Sequence, residues 1–288
     1  VVTGSTGQVG RAVVAAARAA GHEVHGLARR EPVPCDLTDL AALAHRLDAL
    51  QPDAIVHAAA LTDVDRCEQE PDLAALLNVG VTSAIARWAE GAGAHVVYVS
   101  TNYVFDGRAP QPYEVDAPTS PISVYGRTKA EGEVAAGAQA SVARTAWVTS
   151  PLGPSLVHAV VRRGLAHERM QFLDDQFGQA TVATDLAPAL LHLAEERSPG
   201  TFHLTNPEHH TPLALARLVL ELAGLDPQLV EPAPADHPER RRPAPRPRNG
   251  LFALDRTRAH HPLLGLPSYR SSLADLLPSV ISGLGAAG

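Results

Sequence analysis

Val1-Val2-Thr3-Gly4-Ser5-Thr6-Gly7-Gln8-Val9-Gly10 opens the chain. A β-branched start runs into three glycines spaced three apart, and then into a segment with helical periodicity from Val9 to Ala20. Glycines placed between a strand and a helix permit a tight turn and let backbone N–H groups approach a pyrophosphate, which the helix N-terminus also favours. A glycine pattern alone is weak; the strand–turn–helix context gives it weight. Gly4, Thr6, Gly7, Gln8, Val9 and Gly10 are therefore the expected cofactor-binding residues of this turn. The first strand is short, and a few residues, the initiator methionine among them, are expected to precede Val1; no signal peptide is visible.

Working outward, short β-rich runs at Val1-Thr3, Glu23-Ala28, Ala54-Ala59, His95-Ser100 and Ser141-Val148 alternate with alanine-rich runs of helical period. Those runs lie at Val9-Ala20, Asp39-Leu50, Asp72-Gly91 and Ser123-Ala136. Such alternation predicts an α/β fold: a Rossmann-type, doubly wound parallel sheet covered on both faces, with its ligands at the carboxyl ends of the strands. After Pro151 the alternation decays. Helices are expected at Ala214-Ala223 and Ser271-Ile281, whereas Glu231-Arg248 is too rich in proline and arginine for regular structure. The expected division is a cofactor-binding domain over 1–150, with 182–204 returning to it, and a smaller C-terminal α/β substrate domain from 151–181 and 205–288.

Composition narrows the function classes. Hydrophobic residues make up 45% and charged residues 19% of 288, which fits a globule with a real core. A net charge of -7 argues against general nucleic-acid binding, and no apolar run approaches the length of a membrane span. Two distant cysteines, Cys35 and Cys67, cannot form a disulfide framework or a metal knuckle and suggest a reducing cytoplasm. The fourteen histidines are scattered without a His-Glu-x-x-His pattern, so no metal site is expected.

Several positions carry chemistry. Tyr125-Gly-Arg-Thr-Lys129 places a phenol and an ammonium at i and i+4, on one helix face. A cation beside a phenol lowers its pKa and suits it to exchanging a proton with a carbonyl or alcohol oxygen. Thr101, at the end of the His95-Ser100 run, could hold a substrate carbonyl while Tyr125 protonates it. Arg29 and Arg30, at the expected end of the second strand, suit a 2′-phosphate, which favours NADPH; the acidic alternative, Glu31, comes slightly late, and NADH stays second. Asp36, with Leu37 beside it, follows an expected third strand and could reach the adenine amine or cap the helix starting near Asp39. Ala58, Ala59 and Ala60 end the next strand, where small side chains would let a cofactor lie against backbone.

The order glycine loop, Ser-Thr, Tyr-x-x-x-Lys resembles the extended short-chain dehydrogenase/reductase family. The blocks GSTGQVG (4–10), AAALTDVDRCE (58–68), STNYVF (100–105), PTSPISVYGRTKAEGE (118–133), RTAWV (144–148), DDQFGQAT (174–181) and RPRNGLFALD (246–255) look like its dTDP-4-dehydrorhamnose reductase branch. The resemblance implies a nicotinamide-dependent reduction of the 4-keto group of a nucleotide-linked 6-deoxysugar, with Thr101, Tyr125 and Lys129 catalytic and with Tyr125 and Lys129 also touching the cofactor. Asn102, Tyr103, Val104, Trp147 and Gln176 would line the sugar pocket, and Arg246, among the arginines of 240–248, would meet the diphosphate. Some relatives form metal-linked dimers, so a homodimer stays open, but no local ligand cluster supports a metal. Family members usually carry aspartate at Asn102, proline at Ala180 and serine at Gly250, all in segments expected to face substrate, which points to a different 4-ketosugar. The rival readings are an epimerase on the same scaffold and a non-catalytic subunit like the regulatory β subunit of methionine adenosyltransferase. A dehydratase would need an Asp-Glu pair where this chain has Asn102 and Tyr103.

Overall fold

The computed structural model describes residues 1–29, 34–233 and 242–285. In its first half, β1 (Val2–Thr3), α1 (Gln8–Ala19), β2 (Gly26–Leu27), α2 (Leu40–Leu50) and β3 (Ala54–His57) lead to α3 (Val64–Gln69) and α4 (Pro71–Ala75). A π-helical turn, Leu76–Gly80, joins α4 to α5 (Val81–Ala92); then come β4 (His95–Thr101), α6 (Val124–Ala136) and β5 (Ser141–Thr145). The expected third strand before Asp36 does not form among the described residues: 34–36 carry no regular structure.

The C-terminal half contains β6 (Val148–Thr149), α7 (Leu156–Leu165), β7 (Met170–Phe172), β8 (Gly178–Gln179), β9 (Thr181–Val182) and α8 (Ala183–Glu196). It continues with β10 (Gly200–His203), β11 (His209–His210), α9 (Pro212–Leu222), β12 (Val230–Pro232), α10 (Asp255–His260) and α11 (Tyr269–Gly285). Strand β12 begins just before the proline-rich run expected to be irregular and takes in its first two residues, Glu231 and Pro232.

Six strands form one sheet in the order β10-β5-β4-β3-β1-β2, and each neighbouring pair is parallel. The fold is thus Rossmann-like. Strand alternation decides which helix covers which face. Val56, Val97 and Ala143 face α1 and α8, packing with Val13, Leu186, Leu190 and Leu193. Ile55, Val96, Tyr98 and Val142 face the other way, onto Leu43 and Leu47 of α2, Ile85 of α5 and Ala136 of α6. A third core gathers α7, α9 and α11 around Val157, Leu220 and Leu276. Ala180, in a segment expected to face substrate, is fully buried in that third core and does not line the cleft described below.

Caps set the helix starts. The Asp39 side chain accepts from the Ala42 N–H at 2.9 Å, so Asp39 and not Asp36 starts α2. Ser123 caps α6 through the Gly126 N–H at 3.1 Å, and Glu68 takes the Val124 N–H at 2.8 Å. Helix α6 lies tight on its neighbours because two of its residues lack a side chain. A Cβ on Gly126 would fall 2.1 Å from the Tyr103 carbonyl oxygen, and one on Gly132 would fall 2.1 Å from the Tyr98 hydroxyl. Helix propensity alone would favour Gly132→Ala by about 1 kcal/mol. Overpacking reverses the sign, so Gly132→Ala should lose about 1–3 kcal/mol in urea unfolding; a stabilised variant would show that α6 has room to move.

Candidate active site

A cleft of about 1120 Å³ runs along the carboxyl ends of the sheet. One end is the glycine turn. Gly4 has φ +66°, and a Cβ there would lie 2.8 Å from the Ala59 nitrogen. A Cβ on Gly10 would lie 2.2 Å from the Gly4 carbonyl oxygen, while the Gly7 N–H donates to that oxygen at 2.8 Å. Gly7 caps α1 without a side chain, so the first N–H groups of the helix have no intrahelical partner. Gly4, Thr6, Gly7, Gln8, Val9 and Gly10 all line the cleft, as do Ala58, Ala59 and Ala60 opposite them.

A directional hydrogen-bond chain holds Ala59 against the glycines. The Ala59 N–H donates to Thr3 Oγ1 at 3.3 Å, and the Thr3 hydroxyl donates to His57 Nδ1 at 2.6 Å. The Thr82 hydroxyl donates to the Asn78 carbonyl at 2.8 Å, so it accepts from His57 Nε2–H at 3.1 Å. Burial pushes His57 down to about 3, which keeps the imidazole in the neutral form this chain requires.

Arg29, Asp36 and Leu37 line the same end of the cleft. Asp36 accepts from the Thr38 N–H at 3.0 Å and the Thr38 hydroxyl at 2.8 Å, which lowers its carboxyl pKa, with a smaller contribution from Arg29. Arg30 and Glu31 lie outside the described residues, as do Arg240 and Arg241 of the arginine run.

At the other end, Thr101, Asn102, Tyr103, Tyr125, Lys129 and Trp147 share one wall. Burial pushes the Tyr125 phenol well above its ordinary value, and a hydrogen bond with the Thr101 hydroxyl pulls the other way. The expected lowering by Lys129 is not what governs the phenol. The Lys129 ammonium donates to the Val99 carbonyl at 2.7 Å and sits 4.0 Å from the centre of the Tyr98 ring. Burial brings Lys129 itself down to about 7, with Glu133 opposing. At neutral pH the cleft therefore holds a fully protonated phenol, which is a proton donor. Tyr103 packs edge-on to Tyr125 at 5.4 Å, and Trp147 takes a left-handed φ of +43° over Gly178, where a Cβ would come within 2.5 Å of the indole. Strained backbone of this kind collects at functional sites.

Three expected pocket residues do not line the cleft. Val104 is buried among Phe105, Tyr113 and Phe252. Gln176 donates to the Pro247 carbonyl at 3.1 Å. Arg246 forms a bidentate pair with Asp65, at 3.1 and 2.8 Å, and hydrogen-bonds Tyr103 from behind the pocket.

Two supports escaped sequence reasoning. Asn78, in the π-helical turn, accepts from the Leu61 N–H at 2.8 Å and donates to Thr128 Oγ1 at 3.0 Å, tying the loop after Ala60 to α6. An asparagine within a helical run, two residues before a glycine, was the available signal. Glu133 and Arg144 form a two-pronged pair at 2.8 and 2.7 Å, and the Ser100 hydroxyl donates to the same carboxylate at 2.5 Å. Nothing in the spacing of 133 and 144 announces that contact.

A family model described as the RmlD substrate binding domain matches residues 1–281. The chain belongs to this family. Among its relatives, the dTDP-4-dehydrorhamnose reductase of Mycolicibacterium smegmatis is 36% identical over 288 residues, covering 98% of this chain and 85% of that protein. The dTDP-4-keto-6-deoxy-D-glucose reductase of Streptomyces niveus is 35% identical over 240 residues, covering 82% of each. The solved structure of Bacillus anthracis dTDP-4-dehydrorhamnose reductase in complex with NADP matches with a TM-score of 0.87 at 26% identity, covering 96% of this chain and 97% of that one.

The Glu133–Arg144 pair is nearly fully buried, with side chains 10% and 6% exposed. Removing one partner strands the other charge, so Arg144→Met should cost about 3–5 kcal/mol in urea unfolding, and adding Glu133→Leu should recover most of it.

Proposed function

We propose that this protein reduces the 4-keto group of a dTDP-linked 6-deoxysugar with NADPH. The observation that carries this reading is the pairing, in one cleft, of a glycine cradle that no Cβ could enter with a buried, protonated Tyr125 beside Thr101. The names of the Mycolicibacterium and Streptomyces relatives support the substrate class.

The residues present fit a nicotinamide dinucleotide. The close approaches of Gly4 and Gly10 leave bare backbone for a pyrophosphate, and the open start of α1 favours its charge. Arg29, exposed on the cleft rim, suits a 2′-phosphate, and the NADP bound to the Bacillus anthracis relative supports that choice. When bound, the nicotinamide supplies hydride to the carbonyl carbon. Tyr125 gives its proton to the carbonyl oxygen, and Thr101 holds that oxygen by a hydrogen bond. Lys129, which lines the cleft, would hold the nicotinamide ribose with its remaining N–H groups when charged. Asn102, Tyr103 and Trp147 form the wall against which the sugar rests. Arg246, already paired with Asp65, steadies Tyr103 and is assigned to that support and not to direct diphosphate binding.

Residues 1–150, with 182–204, are assigned to the cofactor unit, and 151–181 with 205–288 to the substrate unit. No helix among the described residues is long and apolar enough to cross a membrane. Both cysteines are free thiols, which supports the cytoplasm as compartment.

Two experiments test the reading. General acid catalysis contributes about 10²–10⁴-fold, so Tyr125→Phe should lose about that much of kcat in NADPH oxidation with a dTDP-4-keto-6-deoxysugar while binding NADPH normally. Near-wild-type turnover of that variant would sink the assignment. The second is a pH series. Lys129 titrates near 7 because burial lowers it, so its charge is present below that pH and lost above it. NADPH affinity should weaken as pH rises from about 6 to about 8.5, approaching about tenfold per unit above the midpoint. The Lys129→Met protein should show a flat profile in fluorescence titration.

A further inference from the structure

Asn102 makes two hydrogen bonds that no assigned role explains. It is 3% exposed, and it begins the single turn that follows β4. Its Nδ2 donates to the Gly250 carbonyl at 3.4 Å, and its Oδ1 accepts from the Thr101 hydroxyl at 3.3 Å. The amide has one workable orientation. Flipped, it would set its oxygen against the Gly250 carbonyl and offer Thr101 a second donor. Thr101 Oγ1 also accepts from the Tyr103 N–H at 3.3 Å. The Tyr103 N–H and the Asn102 amide together fix where the Thr101 oxygen sits, within hydrogen-bond reach of the Tyr125 phenol. Its single proton, given to Asn102 Oδ1 in the empty cleft, is free to turn to a carbonyl oxygen that enters.

Gly250 is the other half of the arrangement. A Cβ there would lie 2.1 Å from Asn102 Nδ2, so any side chain would displace the amide. The segment is anchored independently. The Gly250 N–H donates to the Phe177 carbonyl at 2.8 Å, and the Phe177 N–H donates to the Arg248 carbonyl at 2.7 Å. Phe177 in turn precedes Gly178, on which Trp147 packs. Backbone and amide thus link the Trp147 wall of the cleft to the hydroxyl beside the phenol.

We propose that Asn102 is a positioning residue for Thr101, locked by the Gly250 carbonyl, and that Asn102 and Gly250 act as one unit. This rests on the ketoreductase reading, in which Thr101 holds the carbonyl oxygen. The amide holds the Thr101 oxygen at the spot from which its proton can turn to the carbonyl oxygen, and the bare glycine leaves the amide its place.

The test is a double-mutant cycle of Asn102→Ala, Gly250→Ala and the pair, read in two ways. In steady-state NADPH oxidation against a panel of dTDP-4-keto-6-deoxysugars, each single variant should lose about 10- to 100-fold in kcat, as expected for a misplaced reacting group, while KM for NADPH moves less than about twofold. The double variant should be no slower than Asn102→Ala alone, because the space that the new methyl needs is already empty. In urea unfolding, Gly250→Ala should lower the midpoint clearly in the wild-type background and little in the Asn102→Ala background. Effects on kcat that multiply, or singles that keep wild-type kcat, overturn the positioning role; equal midpoint shifts in both backgrounds overturn the contact. Wild-type protein with no turnover on any sugar of the panel overturns the ketoreductase reading and the role that rests on it. The unfolding cycle still decides the contact in that case.

Discussion

The site depends on how closely helix α6 approaches the sheet. Gly126 and Gly132 have no Cβ, and their positions are taken by the Tyr103 carbonyl and the Tyr98 hydroxyl. That closeness carries Tyr125 and Lys129, on the same helix, out of water and onto the end of β4. Glu133, one residue beyond Gly132, reaches Arg144 on β5 and the Ser100 hydroxyl on β4, so the helix is held at the same height by a buried charge pair. A buried pair adds little net stability over an apolar contact, but it tolerates few alternative geometries. Its value here is register: it fixes the rotation of α6, and with it the direction in which the phenol points.

Burial then decides the chemistry more strongly than the neighbouring charge does. A cation four residues from a phenol suggests a lowered phenol pKa. Here desolvation acts on both groups. It raises Tyr125 and lowers Lys129 to about 7, so each shifts toward its neutral form. The Lys129 ammonium donates one hydrogen bond to the Val99 carbonyl and lies over the face of Tyr98. For a reduction this is the useful outcome, because the carbonyl oxygen needs a donor, and a protonated phenol in a dry site is one. His57 follows the same rule on the cofactor side: kept neutral by burial, it accepts from Thr3 and thereby holds Ala59 at the glycine turn.

What the sequence disclosed follows the periodicities that backbone geometry imposes. The glycine turn, the alternating strands of the sheet and the Tyr-x-x-x-Lys spacing are local, and local patterns survive without coordinates. Side-chain direction beyond one element does not. Val104 sits two residues from Asn102 yet turns into an aromatic core, because the single turn after β4 rotates it away. Arg246 carries the right charge for a diphosphate, but Asp65, far off in sequence, claims its guanidinium. Asp36 and Asp39 were equivalent as caps until the turn at Thr38 took the first and left the second to the helix. The Glu133–Arg144 pair joins segments that only tertiary packing brings together, so no spacing could announce it, and the helical asparagine at 78 marks a special turn without naming Thr128 as its partner.

The same distinction changes the meaning of the positions where this chain departs from the pattern it resembles. Read along the sequence, Asn102, Ala180 and Gly250 were three separate signs of an altered substrate. In space they divide. Ala180 is closed inside the C-terminal core and answers to packing among α7, α9 and α11. Asn102 and Gly250 touch, with the amide filling the volume a side chain at 250 would need. They are one change and not two. A carboxylate at 102 could not donate to the Gly250 carbonyl, and a larger residue at 250 would push the amide off Thr101, so neither position can be altered alone without disturbing the hydroxyl beside Tyr125. A departure that appears to concern the sugar is therefore also a constraint on where the Thr101 hydroxyl sits beside Tyr125.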